Sequence, residues 1–444
     1  MKSSIPMTMA VLVALAAFAE PTVSNVKLRP CWPWSRNVIV TFTLSGADVS
    51  QRVKLAFTSE GKTIEVPDRS VAGQKLDLVN GDHRLVWDPM QCGLANQGLI
   101  PDVELTVTPT VMPVYMIVDL SAAKGSPEQV TYITEADIRS GAWGAWEESP
   151  DLKTVIWTGV TNNLAYKQEK IVLRYVPATT SSVWSDLKGK TTFTLGAPSS
   201  AASTSSRKDN SENVVYDLGK CQPQGEVTLT KGCWMAVFET TQWQFQNVMG
   251  SSSNSNTYEN EDGTLPVETL EWRYIRGSNY DGAHWPQVGH EVCDYSYVYK
   301  LRVKTGLVFD LPTEAQWTFA ARAGAEGFRY GELAEIAHCN ATGGTAVVGS
   351  YKPNAWGLYD MLGNVREGVL AAFNGGYVNA DFGTDPAGQV IADPFRTVRG
   401  GGWDDGAACV NFYQREQCWW SPPYDKTDNR RVGEGFRLSI TLDL

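Results

Sequence analysis

The stretch W356-GLYDMLGNVREGV-L370 decides how this chain is read, because it sets aromatic and aliphatic residues around a tight Gly363-Asn364 turn. Asp360 and Glu367 flank that turn with carboxylates, and Arg366 places a cation in its middle. A hard cation such as calcium takes six to eight oxygen ligands from carboxylates, carbonyls and water. Asp360 and Glu367 would supply the carboxylates, and the turn would aim the carbonyls of Gly363 and Val365 inward. The competing reading is that the two acids cap and pair with backbone groups.

The chain around this stretch changes texture along its length. Residues 22 to 110 read as short β-branched or alternating runs, such as Val38–Phe42, Val53–Phe57 and Leu85–Trp87. Turn-formers at Gly61 and Gly81 separate them, which predicts a small all-β sandwich. Residues 111–169 keep some β character around Tyr115 to Val118 and read as a connecting segment. From about 170 onward Trp, Gly and Tyr are dense, and two helices carry start and stop signals. One is capped by Thr241 with Gln244 and stopped by Gly250, and the other by Thr313 with Gln316 and Gly324. Residues 197–206 (APSSAASTSS) read as a polar loop.

Residues 1–19 carry Lys2, an apolar run from Met7 to Phe18, and small residues before a cleavage point at Ala19. This is the pattern of a secretory signal peptide, and no later apolar run is long enough to span a bilayer. A secreted or periplasmic location follows as an expectation. The balance of 38 Lys and Arg against 49 Asp and Glu gives a net charge of −11, with no basic stripe for phosphates. Nucleic-acid binding is therefore not expected. Eight cysteines permit disulfides in an exported protein, among them Cys31 with Cys92 and Cys409 with Cys418. No CxxC pair supports a zinc ribbon, and the spacing of His284, His290 and Cys293 matches no standard metal pattern.

Six ordered motifs over 170–444 carry a specific resemblance. They are VFETT (237–241), LPVE (265–268), LPTEAQW (311–317), NAWGLYDMLGNV (354–365), VRGGGW (398–403) and GFR (435–437). Together they resemble the formylglycine-generating enzyme, or sulfatase-modifying factor, domain. The resemblance implies an α+β, C-type-lectin-like fold rich in loops behind the all-β domain. It also implies a structural calcium on Asp360, Gly363, Val365 and Glu367, in agreement with the ligand chemistry.

Two departures from the family pattern bear on activity. Arg366 and Gly368 stand where the family usually has tryptophans. The family's oxidases use a copper-binding cysteine pair after a Gly-Gly-Ser motif. Here the serine is Gly402, the first cysteine falls on Asp404 or Asp405, and Cys409 alone lies near the second. Copper(I) favours soft thiolates, so a lone cysteine is a poor substitute for the pair. Were the chain catalytic, Cys409 would be the thiolate, Asp405 a polar or metal contact and Arg415 a substrate anchor. Trp419, Trp420 and Tyr424 crowd aromatic rings among polar neighbours, which suits a peptide, protein or glycan ligand. The sequence thus favours a non-catalytic binding version, with oxidation of a substrate cysteine to formylglycine as the alternative.

Overall fold

The computed structural model describes residues 20–31, 34–47, 51–59, 61–92, 104–199, 205–208, 213–216, 221–250, 256–270, 272–277, 292–373, 375–387, 395–419 and 433–441. The leader-like stretch 1–19 and residues Trp420 and Tyr424 lie outside them.

Period-two alternation builds the described strands between Thr22 and Val111. In the strand Val38–Ser45 the side chains of Val40, Phe42 and Leu44 are buried while Thr41 and Thr43 are only half-buried. This strand joins Thr22–Pro30, Gly81–Trp87 and Val71–Ala72 in one sheet, and Gln51–Ser59 joins Lys62–Glu65 and Glu104–Val111 in another. Val53, Leu55 and Phe57 of the second sheet share a core with Phe42, Leu85 and Trp87 of the first. Cys31 and Cys92 remain separate thiols, so the pairing expected between them is not formed. The Cys92 sulfur instead accepts the Trp87 indole N–H at 3.4 Å and reaches the Ser70 hydroxyl at 3.5 Å.

The segment read as a connector is built into the C-terminal half. Its strands Pro113–Asp119 and Val130–Thr134 form one side of a five-stranded antiparallel sheet with Lys170–Val176, Cys233–Ala236 and Ser439–Thr441. Met116 and Val118 therefore share a core with Leu173, Trp234, Phe245 and Phe436. A boundary near residue 170, drawn from composition alone, cuts through this layer, because burial on both faces erases the alternation that marks a strand.

Both expected helices form, at Gln242–Met249 and Glu314–Arg322, each with a reciprocal capping box. The second ends with Ala323 in the left-handed region, one residue before the expected Gly324. Further helices occur at Ser182–Lys188 and Tyr297–Thr305. The second of these escapes the sequence because YVYKLRV is rich in β-branched and aromatic residues and alternates; packing of Tyr297, Val298 and Leu301 overrides that preference. Ser205 and Ser206, read as loop, begin a strand that pairs with Asn213–Tyr216. Another sheet of this half is mixed: Arg415–Trp419, Phe395–Arg399, Arg366–Ala372 and Glu434–Phe436 carry the site, with the last two strands parallel. Mixed sheets with few helices make the chain α+β.

Candidate functional site

The decisive stretch is a buried turn leading into a buried strand. Asn354 starts it: its amide N–H groups cap the helix end at the Ala320 and Ala321 carbonyls, while its oxygen accepts from Trp356 and Leu358. Gly363 has φ +85°, and a Cβ there would lie 2.6 Å from the His338 carbonyl oxygen, so only glycine fits. Asn364 comes next, also left-handed, with its side-chain amide donating to Glu239 at 2.5 Å. The Val365 N–H donates to the other Glu239 oxygen at 3.0 Å. Glu239, from the VFETT motif, is therefore the acid that holds the turn, a role the sequence reading did not assign to it.

The structure gathers three buried carboxylates here: Glu239, Asp360 and Glu367. Burial raises Glu239 well above the usual carboxylate range, with Asp360 and Glu367 adding to the effect. Burial also lifts Asp360 to about 6, although the Gly349 N–H, donating at 2.6 Å, works against it. Glu367 accepts Arg437 Nη2 at 2.6 Å on one oxygen, Arg437 Nε at 3.0 Å on both, and the Trp317 indole at 2.6 Å on the other. A carboxylate offers about four lone-pair sites. On Glu367 three N–H groups occupy them, the single Arg437 Nε–H being shared between both oxygens. With that carboxylate spent on the chain, the four residues expected to hold calcium are one ligand short.

Arg366 answers to a different group. Its Nη2 lies 2.8 Å from Asp404 Oδ1 and 2.6 Å from Asp405 Oδ1, with Glu416 3.8 Å from Nε. Burial opposes its charge, but Asp405, Asp404 and Glu416 more than offset this and raise it well above the usual arginine value. The second Asp405 oxygen accepts the Gly402 N–H at 2.9 Å. Gly402 leaves room for the guanidinium, since a Cβ there would sit 3.0 Å from Arg366 Nη1. The two departures seen in the sequence are thus a pair. The cation standing in a tryptophan position binds the acids standing in the first cysteine position.

Of the residues singled out for catalysis, Cys409 is fully buried, its N–H donating to the Gly406 carbonyl at 2.9 Å. The side chain of Cys418, its expected disulfide partner, lies outside the described residues. Asp405 is committed to Arg366 and to its own loop. Arg415 donates Nε to both Glu314 oxygens at 2.9 and 3.1 Å and Nη1 to the Gly375 carbonyl at 2.6 Å. It also lies over the Tyr377 ring at 4.6 Å. Arg415 is a core ion pair, which corrects its reading as a substrate anchor; strand register decides where it points. Among the described residues no group of three or more His, Cys, Asp or Glu side chains is arranged to hold a metal. With carboxylates locked to Arg366 where the first thiolate would stand, the residues present do not fit a copper pair. His338 is a satisfied loop residue between Tyr351 OH and the Gly344 carbonyl. The backbone of Trp419 closes a strand, while its side chain, like Trp420 and Tyr424, falls outside the described residues.

The chain is 30% identical over 217 residues to a formylglycine-generating enzyme of Streptomyces coelicolor, covering 45% of this chain and 65% of that one. It is 40% identical over 98 residues to the serine/threonine-protein kinase pkn1 of Chlamydia pneumoniae, covering 21% of this chain and 16% of the kinase. It thus spans less than two thirds of either relative. Among solved structures it is similar to PvdO from Pseudomonas aeruginosa, with a TM-score of 0.45 and 18% identity over 60% of this chain and 93% of that one. Residues 190–441 match the sulfatase-modifying factor enzyme 1-like domain, which is more than half of the chain. The chain belongs to the sulfatase-modifying factor family.

Proposed function

We propose that this protein is an exported, non-catalytic member of its family that binds a peptide, protein or glycan on a C-type-lectin-like scaffold behind an N-terminal β-sandwich domain. One observation carries the reading: Arg366 and Asp405 form a 2.6 Å ion pair at the position where the resemblance expects the first copper thiolate. The resemblance implies that oxygen oxidises the substrate cysteine at copper(I) held by two soft thiolates; here a hard carboxylate stands in the first position and is tied to a guanidinium that cannot ligate a metal. The thiol nearest the second position, Cys409, is sealed in the core. Trp419, Trp420 and Tyr424, which the sequence sets among polar neighbours, are the residues assigned to that ligand, since large aromatic side chains carry much of the energy at binding sites.

The test uses the full chain reduced and loaded with copper(I), incubated in air with a peptide carrying Cys-x-Pro-x-Arg. Mass spectrometry is expected to find the cysteine unchanged. Conversion to the aldehyde that disappears in Cys409→Ser overturns the reading in favour of the oxidase. Binding is then sought on peptide and glycan arrays, where Trp419→Ala with Trp420→Ala is expected to abolish the signal.

A further inference from the structure

We infer that Arg437, a cation of the chain itself, takes over Glu367, the carboxylate ligand at the end of the expected calcium set, so that the fold requires no divalent ion there. Every donor that Arg437 has is used. Its Nη1 donates to the carbonyls of Ala236 and Val237 at 2.8 and 3.0 Å, and its Nη2 to the carbonyl of Tyr359 at 2.7 Å. The remaining Nη2 hydrogen and Nε go to Glu367. A guanidinium carries five N–H donors in a fixed fork. All five are engaged here, three of the contacts being to backbone carbonyls on two separate segments. The fork therefore cannot swing aside to release Glu367 without giving up its bonds to the carbonyls of Ala236, Val237 and Tyr359.

The rest of the cluster is closed by the chain in the same way. Trp317 from the helix Glu314–Arg322 takes the outer Glu367 oxygen, Gly349 takes Asp360, and Asn364 with Val365 takes Glu239. A second cation stands nearby. The Lys167 amine lies over the Phe238 ring at 5.6 Å; burial disfavours its charge, and Asp360 is the group that counters this. Three acids thus face Arg437, Lys167 and four neutral donors, all from the polypeptide. Calcium takes six to eight oxygen ligands, with carboxylates binding through one oxygen or both. Glu367 already has both oxygens engaged by N–H donors of the chain. Its part is to join four segments: the helix through Trp317, the C-terminal segment through Arg437, and through Arg437's carbonyl contacts the strand Cys233–Ala236 and the loop at Tyr359.

The experiment is calcium titration of the full chain after chelator dialysis, followed by thermal unfolding and calorimetry. The expected result is a melting temperature within about 1 °C with chelator or with millimolar calcium, and no saturable heat. A site filled a hundredfold above its Kd in a domain of this size would raise the midpoint by about 5 °C or more. A rise of that size that vanishes in Glu367→Gln overturns the inference. Because that variant also breaks the pair with Arg437, Asp360→Asn serves as the second: loss of the rise there overturns it equally. A rise that survives both variants comes from a calcium bound elsewhere and overturns the part of the inference that frees the fold from divalent ions.

Discussion

Two buried ion clusters lie on either side of the strand Arg366–Ala372, because its first two side chains point to opposite faces. They reach the same outcome by different routes. On one side Arg366 binds Asp404 and Asp405, residues that depart from the family pattern. On the other, Arg437 binds Glu367, and both residues keep it. The first cluster advertises its change in the sequence; the second hides it. A motif that preserves every expected ligand can still be occupied by the chain itself, because what matters is which lone pairs remain after folding. The clusters also differ in access. Asp404 keeps 22% of its side chain exposed, whereas Glu367 and Arg437 are sealed at 1% and 0%. Water can stabilise a loose charge at the first site and not at the second.

The largest expected effect tests the sealed side. Arg437→Ala leaves Glu367 charged and unpaired in the core, a loss of about 3–5 kcal/mol in denaturant unfolding. A loss below about 1 kcal/mol would show that the site opens to water or takes up an ion, and the contrast would fail. On the open side, Arg366→Met strands Asp405 and is expected to cost about 3 kcal/mol. Adding Asp405→Leu should recover most of it, since the pair is removed together. Additive losses in the double variant would mean that the two departures are unrelated.

The pH response sharpens the same comparison. Asp360 is held at about 6 in the folded chain, above its ordinary 3.8. The folded state therefore keeps this proton more tightly, and the stability it contributes is fully present below about pH 4 and lost as pH rises through about 6. Unfolding free energy should fall by on the order of 2 kcal/mol between about pH 4.5 and 6.5. Asp360→Asn should flatten that part of the profile, and an unchanged slope would place the titration elsewhere. The smallest effect is Trp317→Phe, which removes one indole donor from Glu367 and should cost about 1–2 kcal/mol. No change would show that Arg437 alone satisfies the carboxylate.

Much of the scaffold was legible in one dimension. The capping boxes at Thr241 and Thr313 are local: a hydroxyl and an amide three residues apart decide the helix start wherever the chain lies. The alternation at Val38–Ser45 likewise states its own burial. The helix Tyr297–Thr305 was not legible, because its β-branched residues are committed to helix only by the core they meet. Nor was the role of Arg415, whose partner Glu314 lies on another element and whose exposure depends on strand register.

By itself the sequence determined the family, the α+β class, and the two substitutions that unsettle the copper site, since all three are properties of residue identity and order. Tertiary structure alone decided which charges meet. Glu239, Glu367 and Arg437 are far apart along the chain, and an acid's fate as ligand, anchor or proton holder depends on the donors within about 3 Å, which no local pattern encodes.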